Sequence, residues 1–142
     1  MSIHQISVFL ENKPGALNQM TKVLARSGVN LRAISLAETT DFGIARMIVD
    51  DVITATTVLD KNDFVSSLTP VLAYEIPDEA GGLNRLLMLF TEAGVNLEYM
   101  YSCIVGEDQK RAYMIFRVAD PAAAEAALAD KGVFALTEEA FL

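Results

Sequence analysis

Apolar positions change period along this chain in an order that is then repeated. Ile6, Val8 and Leu10 alternate with Gln5, Ser7 and Phe9, the two-residue period of a strand with one well-buried face, and this predicts a strand over about 3–10. Glu11-Asn12-Lys13-Pro14-Gly15 breaks the pattern, and Pro14 suits a helix start because its missing N–H would have no partner there. Leu17, Met20, Val23 and Leu24 then make the apolar stripe of an amphipathic helix, which Gly28 stops in a left-handed conformation. Leu31 to Ala37 and Ile44 to Val49 read as two strands around a turn at Glu38-Thr39-Thr40-Asp41-Phe42-Gly43. Asp50-Asp51 caps a second helix with Val52, Ala55, Val58 and Leu59 inward, and a strand near Phe64–Leu68 closes the set.

The same text recurs 66 positions later. Gly15, Leu17 and Asn18 return as Gly81, Leu83 and Asn84, and Gly28-Val29-Asn30-Leu31 returns as Gly94-Val95-Asn96-Leu97. After one inserted residue Ala45, Met47 and Ile48 match Ala112, Met114 and Ile115. Such a period is too long for a solenoid and fits a small folded unit used twice. The second copy predicts strands near 71–76, 97–105, 110–118 and 133–138, with helices near 81–93 and 121–131. Each copy therefore reads strand, helix, strand, strand, helix, strand. With right-handed crossovers that order gives a ferredoxin-like α+β unit, a four-stranded antiparallel sheet with both helices on one face. The expected domains are 1–69 and 70–142. At about 70 residues each, such units are marginal alone, so a shared core is expected.

Composition narrows the function classes. With 52% hydrophobic and 21% charged residues, disorder is not expected. The apolar run Leu86 to Phe90 falls far short of a membrane span, and Met1-Ser2-Ile3-His4 has no signal-peptide character, so a cytoplasmic protein without membrane attachment is expected. One cysteine, Cys103, excludes an internal disulfide. A formal charge of -8 with scattered Lys and Arg argues against nucleic acid, whereas a zwitterion would hardly notice that field.

Candidate chemistry falls where the first strand of each copy meets its first helix. Gly15, and Gly81-Gly82, sit where backbone N–H groups at a helix start are unpaired, and small residues let a ligand carboxylate approach. Asn12 and Asp78 stand just before these loops, and Asn30 and Asn96 stand where the second strand begins. An Asn amide can address a carboxylate and an ammonium together. Singly, such glycines only shape a turn; loop and Asn repeating together favour binding.

These residues resemble the ACT domain family, small amino-acid-sensing modules, through Glu11-Asn12-Lys13-Pro14-Gly15-Ala16-Leu17, Gly28-Val29-Asn30-Leu31 and Gly43-Ile44-Ala45-Arg46-Met47. The resemblance covers both copies. It implies two ferredoxin-like modules side by side in one eight-stranded antiparallel sheet, with a free amino acid bound at the seam. Carried over, one site uses Asn12, Lys13, Pro14, Gly15, Ala16 and Leu17 with Asn96 and Leu97. The other uses Asp78, Glu79, Ala80, Gly81, Gly82 and Leu83 with Asn30 and Leu31. The loops differ in charge, so the sites need not bind equally. Some serine-responsive members carry a His where this chain has Leu10 and Ile76, which argues against a small polar ligand.

No catalytic set, metal site or cofactor is expected. Asp41-Phe42-Gly43 lacks the rest of a kinase, the sequence has no second His or paired Cys to make His4 a metal site, Cys103 reads as packing, and Asp50-Asp51 and Glu138-Glu139 diverge as adjacent residues. The expectation is a stand-alone amino-acid sensor that regulates an enzyme of amino-acid metabolism in trans. A non-catalytic interaction scaffold is the alternative, and a small enzyme ranks last. Met88 and Leu89 widen the apolar stripe of Leu83, Leu86, Leu87 and Phe90, so packing inside the chain is weighed against a homodimer through this helix.

Overall fold

The computed structural model describes residues 2–104 and 110–142. By contacts the chain divides into two compact units, one mainly His4–Thr69 and the other mainly Pro70–Ala140. The first holds strand β1 (Ile3–Glu11), helix α1 (Ala16–Arg26), β2 (Leu31–Glu38), β3 (Phe42–Val49), α2 (Val52–Lys61) and the beginning of β4 (Val65–Pro77). Its strands lie in the order β2-β3-β1-β4. β3 is antiparallel to both β1 and β2, with Glu11 opposite Phe42 at one end of β3 and Leu31 opposite Val49 at the other. Ile6, Val8 and Leu10 project from β1 onto Met20 and Leu24 of α1 and Ala55 and Leu59 of α2, which puts both helices on one face. Gln5 and Ser7, on the opposite side of β1, are also buried, and the Gln5 amide donates to Ser7 Oγ at 3.1 Å. That bond offsets part of the cost of burying the two polar groups.

The second unit continues with the rest of β4, then α3 (Gly82–Glu92), β5 (Tyr99–Ser102), β6 (Arg111–Arg117) and α4 (Pro121–Ala129), and ends in a short 3-10 turn at Glu138–Phe141. Its strands run β4-β6-β5, with β6 antiparallel to both neighbours. Leu72, Tyr74 and Ile76 of β4 face Leu86 and Phe90 of α3 and Ala124 and Leu128 of α4. Tyr74, Phe90 and Phe116 form an aromatic cluster with centroids 5.1 to 6.2 Å apart. Each unit has its own apolar cluster beneath its helices.

Six strands are present among the described residues, not the eight expected. Two of the expected strands, near 64–68 and 71–76, are one: Pro70 fixes its own φ near the extended range and biases Thr69 toward it, so the chain continues as β4. The last expected strand, near 133–138, is absent. Val133 and Ala135 do turn to the core, and Leu136 N–H bonds Ala73 O of β4 at 2.7 Å. Side-chain alternation is there without a hydrogen-bonded ladder. Val105, the expected end of a strand over 97–105, lies outside the described residues. On α3 the broad stripe is largely absorbed. Leu86 and Phe90 are buried, Leu83, Leu87 and Leu89 pack partly against the core, and Met88 stays 52% exposed.

Candidate functional site

The chain leaves β1 through a tight crossover tied to the β2–β3 hairpin. Asn12 N–H donates to Asp41 O at 3.0 Å, and the Asn12 side-chain amide donates to Glu38 Oε2 (3.2 Å), Thr39 O (3.1 Å) and Thr40 O (3.4 Å). With its nitrogen so engaged, what Asn12 can offer a ligand is its acceptor oxygen. Gly15, at φ 86°, is the N-cap of α1 and supplies no side-chain cap; the helix start predicted at Pro14 is displaced to Ala16 because this left-handed residue makes the turn. Ala16 N–H bonds Lys13 O at 3.3 Å and Gln19 N–H opens the helical ladder on Gly15 O at 2.9 Å. Leu17 and Asn18 N–H are therefore the first-turn donors left for a ligand, at the positive end of the helix dipole.

Against this turn lies a cavity of about 60 Å³ lined by Leu10, Glu11, Asn12, Lys13, Ala16, Leu17, Leu36, Glu38 and Gly43. Asn12, Lys13, Ala16 and Leu17 are among the residues predicted from sequence; Pro14 and Gly15 are exposed outside the lining. Leu10, Glu11, Leu36, Glu38 and Gly43 are lining residues that the sequence reading does not include. The signal for them is strand register: Leu10 is opposite Gly43, and Gly43 is opposite Glu38, so one sheet end brings the three together. At the rim Lys13 Nζ pairs with Glu11 at 3.1 Å, an exposed contact of little energetic weight.

The second loop repeats the backbone and changes the chemistry. Asp78 N–H donates to Lys110 O at 2.7 Å, as Asn12 does to Asp41, and Gly81, at φ 85°, is again an N-cap without a side-chain cap. Gly82 N–H bonds Glu79 O at 3.0 Å, which leaves Leu83 and Asn84 N–H at the helix start. Gly82 is buried with the Pro77 carbonyl so close that a Cβ would sit 2.2 Å from its oxygen. Asp78, Glu79, Ala80 and Gly81 are exposed, and Arg85 pairs with Glu79 at 2.5 Å, offsetting the acidic side chain that replaces Lys13. By contrast α2 and α4 are capped by side chains, Asp51 accepting from Thr54 N–H and Asp120 from Ala123 N–H.

The strand-start asparagines stand elsewhere in their units. Asn30 N–H donates to Asp50 Oδ1 at 2.9 Å and Asp50 N–H to Asn30 O at 3.1 Å, at the end of β3 remote from the loop. The seven residue-to-residue steps from Phe42 to Val49 put loop and Asn30 about 23 Å apart. Neither unit brings its own loop and Asn together. Asn96 is exposed on the rim of an Ala-walled groove of about 390 Å³ that also includes Gly94, Glu98, Asp120, Ala123 and Ala127. Leu31 and Leu97 are half-buried against their cores.

Perturbed titrations lie away from the loops. Hydrogen bonds from Thr54, side chain and backbone, hold the Asp51 carboxyl below its usual range. Burial first, and the Glu125 charge second, push Tyr74 up to about 12, and its hydroxyl has no hydrogen-bond partner. Among the described residues no three His, Cys, Asp or Glu side chains gather as a metal site, and no helix is long and apolar enough to cross a membrane.

A family model for an ACT domain pair matches residues 1–141. Among solved structures, protein BT0572 from Bacteroides thetaiotaomicron is 37% identical over 96% of this chain and 92% of that one, with a TM-score of 0.88. The ligand-free regulatory subunit of aspartate kinase from Thermus thermophilus is 16% identical over 89% of this chain and 90% of that one, with a TM-score of 0.65. Aspartate kinase from Synechocystis, 18% identical with a TM-score of 0.58, matches 94% of this chain through 26% of its own. These two share the fold. No curated protein matches the chain.

Proposed function

Because the chain belongs to the ACT domain family, we propose that it is a non-catalytic regulatory protein that binds a free L-amino acid at its duplicated strand-to-helix loops. The observation that carries this reading is a contrast within one chain. Helices α2 and α4 start on an Asp cap, while α1 and α3, which follow the two loops, start on left-handed glycines that leave backbone donors open. An α-carboxylate fits those donors, and at the first loop Glu38 and the Asn12 oxygen are acceptors for the ammonium. Residues Asn12 to Leu17 and Asp78 to Leu83 are the proposed contacts, with Asn30 and Asn96 as further polar groups. The fold shared with an aspartate kinase regulatory subunit supports extending the proposal to control of an enzyme of amino-acid metabolism. The homodimer included in this reading rests on Met88, exposed on α3, and light scattering on wild type and Met88→Lys tests it.

Thermal melts with each proteinogenic amino acid, and with its decarboxylated amine, test the binding itself. A ligand at about 100 times its Kd adds roughly 2.7 kcal/mol of stability, a shift of several degrees, and the amine does not. Asn30→Ala and Asn96→Ala report whether the strand-start asparagines take part. If no amino acid at about 10 mM moves the melt, the reading fails, because a site that weak contributes nothing measurable.

A further inference from the structure

The cavity beside the first loop is lined by side chains of two kinds. Glu11, Asn12, Lys13 and Glu38 are polar or charged, while the side chains of Leu10, Ala16, Leu17 and Leu36 are hydrocarbon. Leu10 and Ala16 are buried in the unit's core and fixed by it. Leu36 is not. It remains 53% exposed, with Cδ1 lying across Gly43, 3.5 Å from where a Cβ at that glycine would sit. A larger residue at 43 would crowd the leucine away from the cavity. At about 60 Å³ the space takes a few waters, at about 10–15 Å³ each, or one short side chain.

Resting on the amino-acid reading above, we infer that the first loop selects an amino acid with a short branched aliphatic side chain, and that Leu36 sets this selectivity. With the carboxylate at the start of α1 and the ammonium toward Glu38, the side chain enters between Leu10, Leu17 and Leu36. A methyl group there removes apolar surface, including Leu36's exposed half, from water. A hydroxyl in the same place finds no partner on those four side chains and stays desolvated and unpaired. The second loop offers no equivalent prediction, since Asp78 and the Glu79–Arg85 pair change its rim.

Valine and threonine are isosteres that differ by this methyl-for-hydroxyl exchange, so calorimetric titration of the full chain with each isolates the effect. We expect valine to bind at least tenfold more tightly than threonine, within the range by which apolar pockets reject such an isostere. Leu36→Ser lowers valine affinity about tenfold and narrows the gap, while Leu36→Met restores it; the position is exposed, so neither variant threatens the fold. Threonine or another polar amino acid binding as tightly as valine, leucine and isoleucine overturns the inference and leaves the amino-acid reading standing. Aliphatic binding indifferent to Leu36→Ser overturns it too. Silence across every amino acid removes both.

Discussion

Asn12 Nδ2 donates to Glu38 Oε2 at 3.2 Å, and this bond joins the end of β1 to the hairpin strand that walls the first cavity. The second copy has Asp78 at the corresponding position, so Asn12→Asp imports a residue the fold already uses. In the first unit it removes the donor to Glu38, Thr39 and Thr40 and sets two carboxylates together. We expect Asn12→Asp to lower Tm more than Asn12→Ala does. The excess should shrink in about 0.5 M salt, where the screening length falls to a few Å. The Ala variant should cost about 1 kcal/mol, typical of a hydrogen-bonding side chain, with little salt dependence. Paired melts at low and high salt check both statements.

Gly82→Ala reverses a common expectation. Alanine in a helix is worth about 1 kcal/mol over glycine, yet here the new Cβ would lie 2.2 Å from the Pro77 carbonyl oxygen. Backbone must move, so the substitution should lower Tm by several degrees. Ala16→Gly, at the matching position of the first unit, should lose the propensity difference and the burial of one methyl group, with no backbone clash. Denaturant titration of both variants distinguishes close approach from propensity: a Gly82→Ala protein as stable as wild type would mean the loop relaxes freely.

What could be read in advance follows from the range of the interactions involved. Gly28 and Gly94 stop their helices at φ 73° and 70°, and Asp51 caps α2, because each is decided within a few residues of chain. Interactions set by distant backbone were less legible. Thr69-Pro70 reads as a boundary but continues as strand once β4 has neighbours, and 133–138 alternates without finding a ladder. At the site, Asn12, Lys13, Ala16 and Leu17 were identifiable from the repeated loop. Leu36 and Glu38 were not, since they join it only through the register that sets Gly43 opposite Leu10. Asn30 follows the whole of α1, so its distance from its own loop agrees with pairing each loop with the other copy's Asn.

The Asp51 cap adds a pH-dependent contribution to stability. Its folded pKa is depressed below the ordinary 3.8 by the hydrogen bonds from Thr54. The sign follows: the contribution is present above pH 3.8 and is lost as pH falls through the lower, folded value. Asn at 51 keeps an acceptor for Thr54 N–H without a titrating group. Asp51→Asn should therefore show a shallower fall of Tm below pH 3.8 than wild type does. Identical acid limbs in the two proteins would sink the assignment.

Tyr74 governs the other end of the pH range. Its ring is fully buried against Phe90 and Phe116, its hydroxyl lacks a hydrogen-bond partner, and burial with the Glu125 charge raises its pKa to about 12 from an ordinary 10. In the unfolded chain the phenol loses its proton near pH 10, whereas in the folded chain it keeps it to about 12. Above pH 10 the unfolded state thus binds fewer protons, and stability declines through that window. Tyr74→Phe removes the ionisable group and the unpaired buried oxygen while leaving the aromatic packing. Deleting a buried polar group without a partner should be neutral or stabilising at pH 7. Melts from pH 8 to about 11 should then diverge, Tm falling more steeply for wild type than for Tyr74→Phe; the other tyrosines are common to both and cancel. A Phe variant clearly less stable at neutral pH would show that the hydroxyl is satisfied after all, most simply by a buried water.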